Sequence, residues 1–241
     1  MMGMPIAIEI IDPEGQEAHI DEVLEYFNYI DQTFSTYKEH SEISRLNRDE
    51  LELSAASDDM KEVFSLSDET KRLTRGYFDI TRPTGGYDPS GLVKGLAIYR
   101  GAEILRKRGL KNFYVEIAGD IQTSGKNSQG EPWRIGIRNP QNASEIVKIV
   151  NLSDRGIATS GTYVRGAHIY DPLAPGRALD EIVSLTVIGP NVYEADRFAT
   201  AAFAMGRDGI NFIAGLPGFE AYMIDANGLA TMTPGFAAYA N

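Results

Sequence analysis

The chain has 241 residues, of which 43% are hydrophobic and 24% are charged, a composition close to the globular average and sufficient for a full core. Acidic residues outnumber basic ones 34 to 23, and the formal net charge of -11 repels phosphate polymers and anionic lipid, which argues against nucleic acid and membrane surfaces as partners. The absence of cysteine excludes disulfides, thiolate nucleophiles, zinc–thiolate sites and iron–sulfur clusters.

Hydrophobic spacing and turn residues predict a mixture of helices and strands. In chain order these are a strand at residues 6–11, helices at 16–34, 41–46, 58–76 and 91–108, strands at 113–117, 133–137, 146–150 and 182–188, a helix at 194–205 and a strand at 222–224. Consecutive strands and segregated helices favour an α+β fold over a regular βαβ alternation. Because no linker or low-complexity segment interrupts the pattern, we expect a single domain over residues 1–241.

The N-terminus and the hydropathy give an expectation about location. No hydrophobic run approaches the ~20 residues of a membrane span. Residues 1–5 carry neither the basic n-region nor the apolar h-region of a signal peptide. We therefore expect a cytoplasmic protein, or a trimmed form of a periplasmic or membrane-anchored one.

The acidic field also bears on ligands, because it would repel an anionic dinucleotide. Any phosphate site therefore needs a local cation, either a metal or a placed Lys or Arg. Asp196 and Thr200 are four residues apart on a predicted helix and so share one face. Carboxylate and hydroxyl oxygens are hard ligands that suit magnesium. The alternative is that Asp196 only favours the helix N-terminus and Thr200 only packs.

A second candidate segment, residues 88–95, runs from a turn into the helix predicted at 91–108. Backbone N–H groups at such a helix start, together with Lys94, can receive a phosphate. The segment lacks the order of a P-loop. Asp88 could instead be an N-terminal cap, with Lys94 solvated.

A third candidate is His168, which follows a loop of small residues at 158–163. A neutral imidazole can accept a proton near pH 7, which makes His168 the best general-base candidate. His19 and His40 lie in polar, helical stretches. A single histidine can equally be structural, and no nucleophile elbow accompanies this one.

Taken together and in order, these segments resemble the ApbE family, the FAD:protein FMN transferases. The matching residues are Met2-Gly3-Met4, Phe34-Ser35-Thr36-Tyr37, Ser41-Glu42-Ile43-Ser44-Arg45-Leu46-Asn47, Tyr77-Phe78-Asp79, residues 88–95, Gly119-Asp120, Trp133, Thr159-Ser160-Gly161, residues 168–172 and residues 195–200. The match covers nearly the whole chain. It implies a single ApbE-like, T-fold-like α+β domain with mostly antiparallel sheets and packed helices.

The resemblance also implies a set of site residues. Flavin contacts are expected at Met2, Tyr37, Tyr77, Phe78, Asp79, Asp88 and Lys94. Magnesium contacts are expected at Asp196, Thr200 and the Gly91 carbonyl. Aromatic faces and a thioether suit the flavin and adenine planes, although Tyr77 and Phe78 could be ordinary core residues.

The implied function is magnesium-dependent transfer of FMN from FAD to a Thr or Ser of an acceptor flavoprotein, with release of AMP and with His168 as the base. The alternatives are a magnesium-dependent FAD pyrophosphatase giving FMN and AMP, and an FAD-binding protein without turnover. Three positions depart from the family pattern: Met4 replaces Thr, Ala118 replaces Gly, and residues 138–140 lack an acid. Because a Cβ restricts positive φ, Ala118 makes the loop before Asp120 less certain.

Overall fold

The structure, a computed structural model, describes residues 3–13, 16–161 and 169–240. The helices are α1 (Gln16–Phe34), α2 (Glu42–Asn47), α3 (Asp58–Leu73), α4 (Ser90–Lys107), α5 (Val192–Ala204) and α6 (Gly209–Ala214). The strands are β1 (Ile6–Ile10), β2 (Phe113–Ile117), β3 (Asp120–Ser124), β4 (Trp133–Asn139), β5 (Asn142–Leu152), β6 (Gly156–Gly161), β7 (Ile182–Gly189), β8 (Glu220–Asp225) and β9 (Ala230–Met232). The α+β prediction is confirmed.

The main sheet has seven strands in the order β1-β2-β3-β6-β7-β8-β9, and each neighbouring pair is antiparallel. The strands β4 and β5 form a separate antiparallel hairpin. Strand β3 pairs directly with β6, so that Ile121 lies opposite Ile157. This pairing brings the start of β3 beside β6, next to the cavity described below.

Helices α1 and α4 pack together over the first part of the sheet. Val23, Phe27 and Ile30 recur at helical spacing along α1 and are buried, as expected for an amphipathic helix that faces a core. Gly101 of α4 permits this approach, because a Cβ there would lie 2.9 Å from the Phe27 ring. The side chain of Ser41 caps α2, and that of Ser57 caps α3, by accepting the amides of Ser44 and Met60.

Helix α5 packs on one face of the sheet, where Phe198, Ala199 and Phe203 meet β7 and β8 in one apolar cluster. A separate apolar cluster joins residues of the β4–β5 hairpin, including Val150 and Leu152, to strands β6 to β8. The Asn191 side chain caps α5 by accepting the Glu194 amide. The sheet is therefore covered by α5 and supported by the hairpin, which fixes α5 for its role in the site.

The predicted helices correspond to α1 through α5, with ends that coincide or differ by up to three residues, as is usual for helix termini. The prediction missed α6 and the strands β3, β6 and β9. None of the helices within the described ranges combines the length and apolar character needed to cross a lipid bilayer.

Candidate active site

The site is built where the N-terminal half of α4 crosses α5. Glycine faces α5 at two positions of α4: a Cβ on Gly91 would lie 3.0 Å from Cγ2 of Thr200, and one on Gly95 would lie 2.6 Å from the Cβ of Asp196. Real Cβ atoms do not tolerate the second distance, so a larger residue at 95 would separate the helices. The close crossing brings Asp196 and Thr200 to the start of α4.

A buried charge cluster lies at this crossing. The Nζ atom of Lys94 is 2.5 Å from Oδ2 of Asp120 and 3.7 Å from Oδ1 of Asp196. The other oxygen of Asp196 accepts the Gly95 amide over 2.8 Å, and Oδ1 of Asp120 accepts the Thr159 amide over 3.0 Å. Asp120 and Asp196 are almost fully buried. The cluster therefore connects α4, α5, β3 and β6.

The electrostatics of the cluster favour an additional cation. Burial raises the pKa of Asp196 above its ordinary value; Lys94 opposes this rise and Asp120 adds to it. One ammonium between two carboxylates leaves a formal charge of about -1 in a poorly hydrated place, which a bound cation would offset. The interpretation of Lys94 as a solvated side chain is wrong, because only 16% of its side chain is exposed and its ammonium pairs with Asp120.

The donor set fits magnesium. The Oγ1 of Thr200 lies 3.4 Å from the Gly91 carbonyl oxygen, and together with Asp196 these are all hard oxygen donors. Among the described residues, no group of three or more His, Asp or Glu forms a metal cage. Magnesium commonly uses one or two carboxylates plus substrate phosphates rather than an all-protein cage.

An open cavity of about 940 Å³, counting its solvent-filled mouth, adjoins the cluster. Eight residues predicted from the sequence line it together: Tyr77, Phe78, Asp79, Asp88, Gly91, Lys94, Asp196 and Thr200. Small residues of β6, namely Thr159, Ser160 and Gly161, line it as well. The cavity thus combines apolar, acidic and cationic groups, as ligand sites commonly do.

One wall of the cavity is aromatic. Phe78 belongs to the core and also lines the cavity, while Tyr77 is half-buried beside it. The two roles proposed for these residues, core and ligand contact, are therefore compatible. Asp79 pairs with Lys71 at 2.6 Å; burial acts to raise the pKa of Asp79, but the Lys71 and Thr81 hydrogen bonds outweigh it and lower that pKa.

Asp88 lies directly before α4. Its Oδ1 accepts the Ser90 amide over 3.1 Å, while Pro89 occupies the cap position without a side-chain cap bond. The predicted cap role of Asp88 is thus partly realised by this bond to Ser90. The residue also lines the cavity, so that Asp88 and the first turn of α4 face the same space.

Three further predicted site residues are Tyr37, Met2 and His168. The side chain of Tyr37 is 90% exposed and is not among the lining residues. Met2 and His168 lie outside the described residues, so their predicted roles stay predictions.

The sequence interpretation assigned no site role to two residues that the structure places at the charge cluster or the cavity. Asp120, which belongs to the matching Gly119-Asp120 motif, is the near partner of Lys94. Tyr170 lines the cavity and its hydroxyl lies 2.9 Å from the Asp79 carbonyl and 3.0 Å from that of Thr81. It thereby ties the segment after His168 to the aromatic wall. The signal available for Asp120 was its place directly after Gly119 in the matching Gly119-Asp120 motif.

Ala118 shows how the chain accommodates its departure from the family pattern. Its φ is +52°, followed by +93° at Gly119, so two successive left-handed residues turn the chain from β2 into β3. An alanine there is strained, because its Cβ crowds the backbone in this conformation. Ala118 also lines the cavity.

Comparison with known proteins finds matches to one family. The model of the ApbE family matches residues 2–85 and 82–223. An FAD:protein FMN transferase of Vibrio cholerae is 33% identical over 163 residues, covering 64% of this chain and 47% of that protein. One from Haemophilus influenzae is 32% identical over 147 residues, covering 57% and 42%. The chain thus spans less than half the length of these two curated relatives.

Solved structures give the same fold. A flavin transferase ApbE from Vibrio cholerae superimposes with a TM-score of 0.85 at 25% identity, covering 99% of this chain and 96% of that one. An ApbE protein from Thermotoga maritima also gives a TM-score of 0.85, at 20% identity, covering 100% and 97%. The second likeness concerns the fold alone.

Proposed function

The chain belongs to the ApbE family, and from this membership we propose that it is a magnesium-dependent FAD:protein FMN transferase. The observation that carries the proposal is the cluster of Lys94, Asp120 and Asp196 beside an aromatic-walled cavity. An acidic protein needs such a focused cation site to hold a pyrophosphate. FAD offers the pyrophosphate and the planar rings that the cavity suits.

Asp196, Thr200 and the Gly91 carbonyl would hold the magnesium ion. When bound, the ion neutralises phosphate charge and polarises the phosphorus for attack. Lys94 lies beside Asp196 and adds a second positive charge for the phosphates. Tyr77 and Phe78 offer faces for the rings, and Asp79 and Asp88 line the same cavity.

In the proposed reaction a hydroxyl oxygen of a Thr or Ser in the acceptor flavoprotein bonds to the FMN phosphorus of FAD. The bond from that phosphorus to the bridging oxygen breaks, and AMP leaves with the electron pair. His168 takes the hydroxyl proton as general base. The residues mainly position the reactants and stabilise charge, as is general for phosphoryl transfer.

Water in place of the acceptor hydroxyl would make the same site an FAD pyrophosphatase that yields FMN and AMP. A binding protein without turnover is a further alternative. The buried charge cluster and the neighbouring Asp196 and Thr200 oxygens favour a phosphate that reacts over a flavin that is only bound. Catalytic sites place charged groups where charge develops in the transition state.

The test is incubation of the protein with FAD, magnesium and a candidate acceptor flavoprotein, followed by in-gel flavin fluorescence and nucleotide analysis. We expect flavin bound to the acceptor together with AMP. Free FMN with AMP would assign the pyrophosphatase instead. Unchanged FAD in the presence of several acceptors and magnesium would mean that the protein binds FAD without turning it over.

A further inference from the structure

Asp120 lies next to Asp196 and is held at both of its carboxylate oxygens. It is the first residue of β3 and is 1% exposed. Its Oδ1 accepts the amide of Thr159 on β6 at 3.0 Å, and its Oδ2 contacts the Lys94 ammonium at 2.5 Å. The bond to Thr159 fixes the carboxylate to the sheet, so the direction in which Oδ2 points is set by the fold.

Lys94 therefore lies between two carboxylates at unequal distances. Its Nζ is 2.5 Å from Asp120 but 3.7 Å from Oδ1 of Asp196, which is beyond hydrogen-bond length. A movement of about 1 Å would bring the ammonium into hydrogen-bond contact with Asp196. In that position it would cover the oxygen that a cation needs, since Oδ2 of Asp196 already accepts the Gly95 amide.

We propose that Asp120 is a positioning residue that holds Lys94 away from Asp196, so that Oδ1 of Asp196 remains available to a metal ion. The inference rests on the metal site of the proposed function. In this role Asp120 acts through Lys94, in addition to its direct effect of raising the pKa of Asp196. It keeps the Lys94 ammonium near enough to neutralise phosphate charge, and far enough from Oδ1 of Asp196 for that oxygen to bind a metal ion.

The substitution Asp120→Asn tests this with little change of shape. The asparagine oxygen is retained by the Thr159 amide, so its NH₂ group faces the Lys94 ammonium and repels it. Lys94 then moves onto Asp196. Lys94→Met removes the competing ammonium while keeping an unbranched side chain of similar length. Asp120→Ser provides a second uncharged variant should the asparagine variant fold poorly.

The experiment is a titration of Mn²⁺, followed by electron paramagnetic resonance, without and with FAD. It is made on the wild type, Asp120→Asn, Lys94→Met and the double variant. We expect Asp120→Asn to weaken Mn²⁺ binding about ten-fold or more, the range of coupling between contacting groups. In that background Lys94→Met should restore binding to within about three-fold of wild type, whereas in the wild-type background it should change binding less.

Simple charge effects predict a different result. If Asp120 only added negative charge, Lys94→Met would tighten Mn²⁺ binding by the same factor in both backgrounds, because Coulomb terms add. Equal factors would overturn the inference, as would wild-type affinity in Asp120→Asn. A wild type that binds no Mn²⁺ in either condition would instead remove the metal from the proposed function, and the inference with it.

A matched control and a direct measurement complete the test. Asp225 is another buried carboxylate, with Arg207 at 2.9 Å and two backbone amides as partners, and Asp225→Asn should bind Mn²⁺ as the wild type does. A crystal structure of metal-free Asp120→Asn should show Nζ of Lys94 in hydrogen-bond contact with Asp196. An ammonium still beside residue 120 would contradict the inference.

Discussion

The Gly95 amide donates a hydrogen bond of 2.8 Å to Oδ2 of Asp196, at a point where α4 and α5 leave no room for a Cβ on residue 95. The bond joins residues that are 101 positions apart in the chain. It orients the carboxylate toward Lys94 and the start of α4. The same closeness that makes the bond possible excludes any side chain larger than hydrogen at position 95.

Gly95→Ala should therefore damage both stability and the site. The new Cβ would lie 2.6 Å from the Asp196 Cβ and 2.9 Å from the Val192 carbonyl oxygen, so the helices must separate. We expect a loss of about 3 kcal/mol in unfolding free energy, at the upper end for overpacking, measured by urea denaturation. Gly215→Ala is the control, because that glycine is exposed, has an ordinary φ of -81° and meets no atom closer than 3.4 Å.

Asp196→Ala should abolish magnesium-dependent activity, whereas Thr200→Ala should weaken it less. The first removes the only formal negative charge among the proposed metal ligands, and the second withdraws a neutral oxygen. We expect a rate loss of at least ~100-fold for Asp196→Ala, measured across a magnesium titration. Circular dichroism checks the fold. A folded Asp196→Ala with wild-type magnesium dependence would refute the metal assignment.

His168→Ala should slow turnover while leaving FAD affinity nearly unchanged, because a proton acceptor matters only once the hydroxyl is activated. The expected loss is ~10²-fold or more in kcat. Stopped-time assays at saturating FAD give the rate, and calorimetry gives the affinity. Wild-type turnover in this variant would mean that His168 is structural and that the base lies elsewhere.

Ala118→Gly should keep or slightly raise stability. At φ +52° alanine carries a left-handed strain of about 1–2 kcal/mol, which glycine relieves, although glycine also gains freedom in the unfolded chain. Ala118→Val should be destabilising, because a β-branched residue fits this conformation worse. Thermal denaturation of the pair measures the difference. If Ala118→Val were more stable than Ala118→Gly, the backbone at residue 118 would not carry the left-handed strain.

Deprotonation of the Glu116 carboxyl should lower the free energy of unfolding as the pH rises. Burial raises its pKa above the ordinary 4.5, with the Gly119 amide opposing. Above pH 4.5 the folded protein therefore holds the proton more tightly than the unfolded chain does, and the stability that this contributes is lost as the pH rises through the folded pKa. Glu116→Gln should gain stability relative to wild type between pH 4.5 and about pH 8. Urea denaturation at these two pH values gives the difference in unfolding free energy between Glu116→Gln and wild type. A difference that does not increase from the lower to the higher pH would disprove the prediction.

Local patterns were enough to predict one part of the site. The spacing of Asp196 and Thr200 follows from helix geometry alone, and both line the cavity. The contact of Lys94 with Asp120 could not be read in this way, because it depends on how α4 lies across the start of β3. No periodicity within either segment encodes that arrangement.

The missed strands have a similar physical reason. Strand β3 is buried along its whole length although it contains Gln122, Thr123 and Ser124. Tertiary partners satisfy these polar groups: the Gln122 side chain accepts the Val192 amide, and the Thr123 hydroxyl donates to the Arg155 carbonyl. Because an alternating apolar pattern is absent, the usual strand signal fails. Strand β6 is composed largely of small residues and fails for the same reason.

The separation of Gly95 from Asp196 along the chain also determines when the site can form during synthesis. Ribosomes deliver the N-terminal half first, so α4 emerges long before α5 exists to cover its glycines. Closing such a long loop costs conformational entropy, and only the contacts that form when α4 meets α5 offset this cost. The proposed flavin and metal site therefore assembles only at a late step of folding, and a nascent chain that ends before α5 lacks the Asp196 and Thr200 that this site requires.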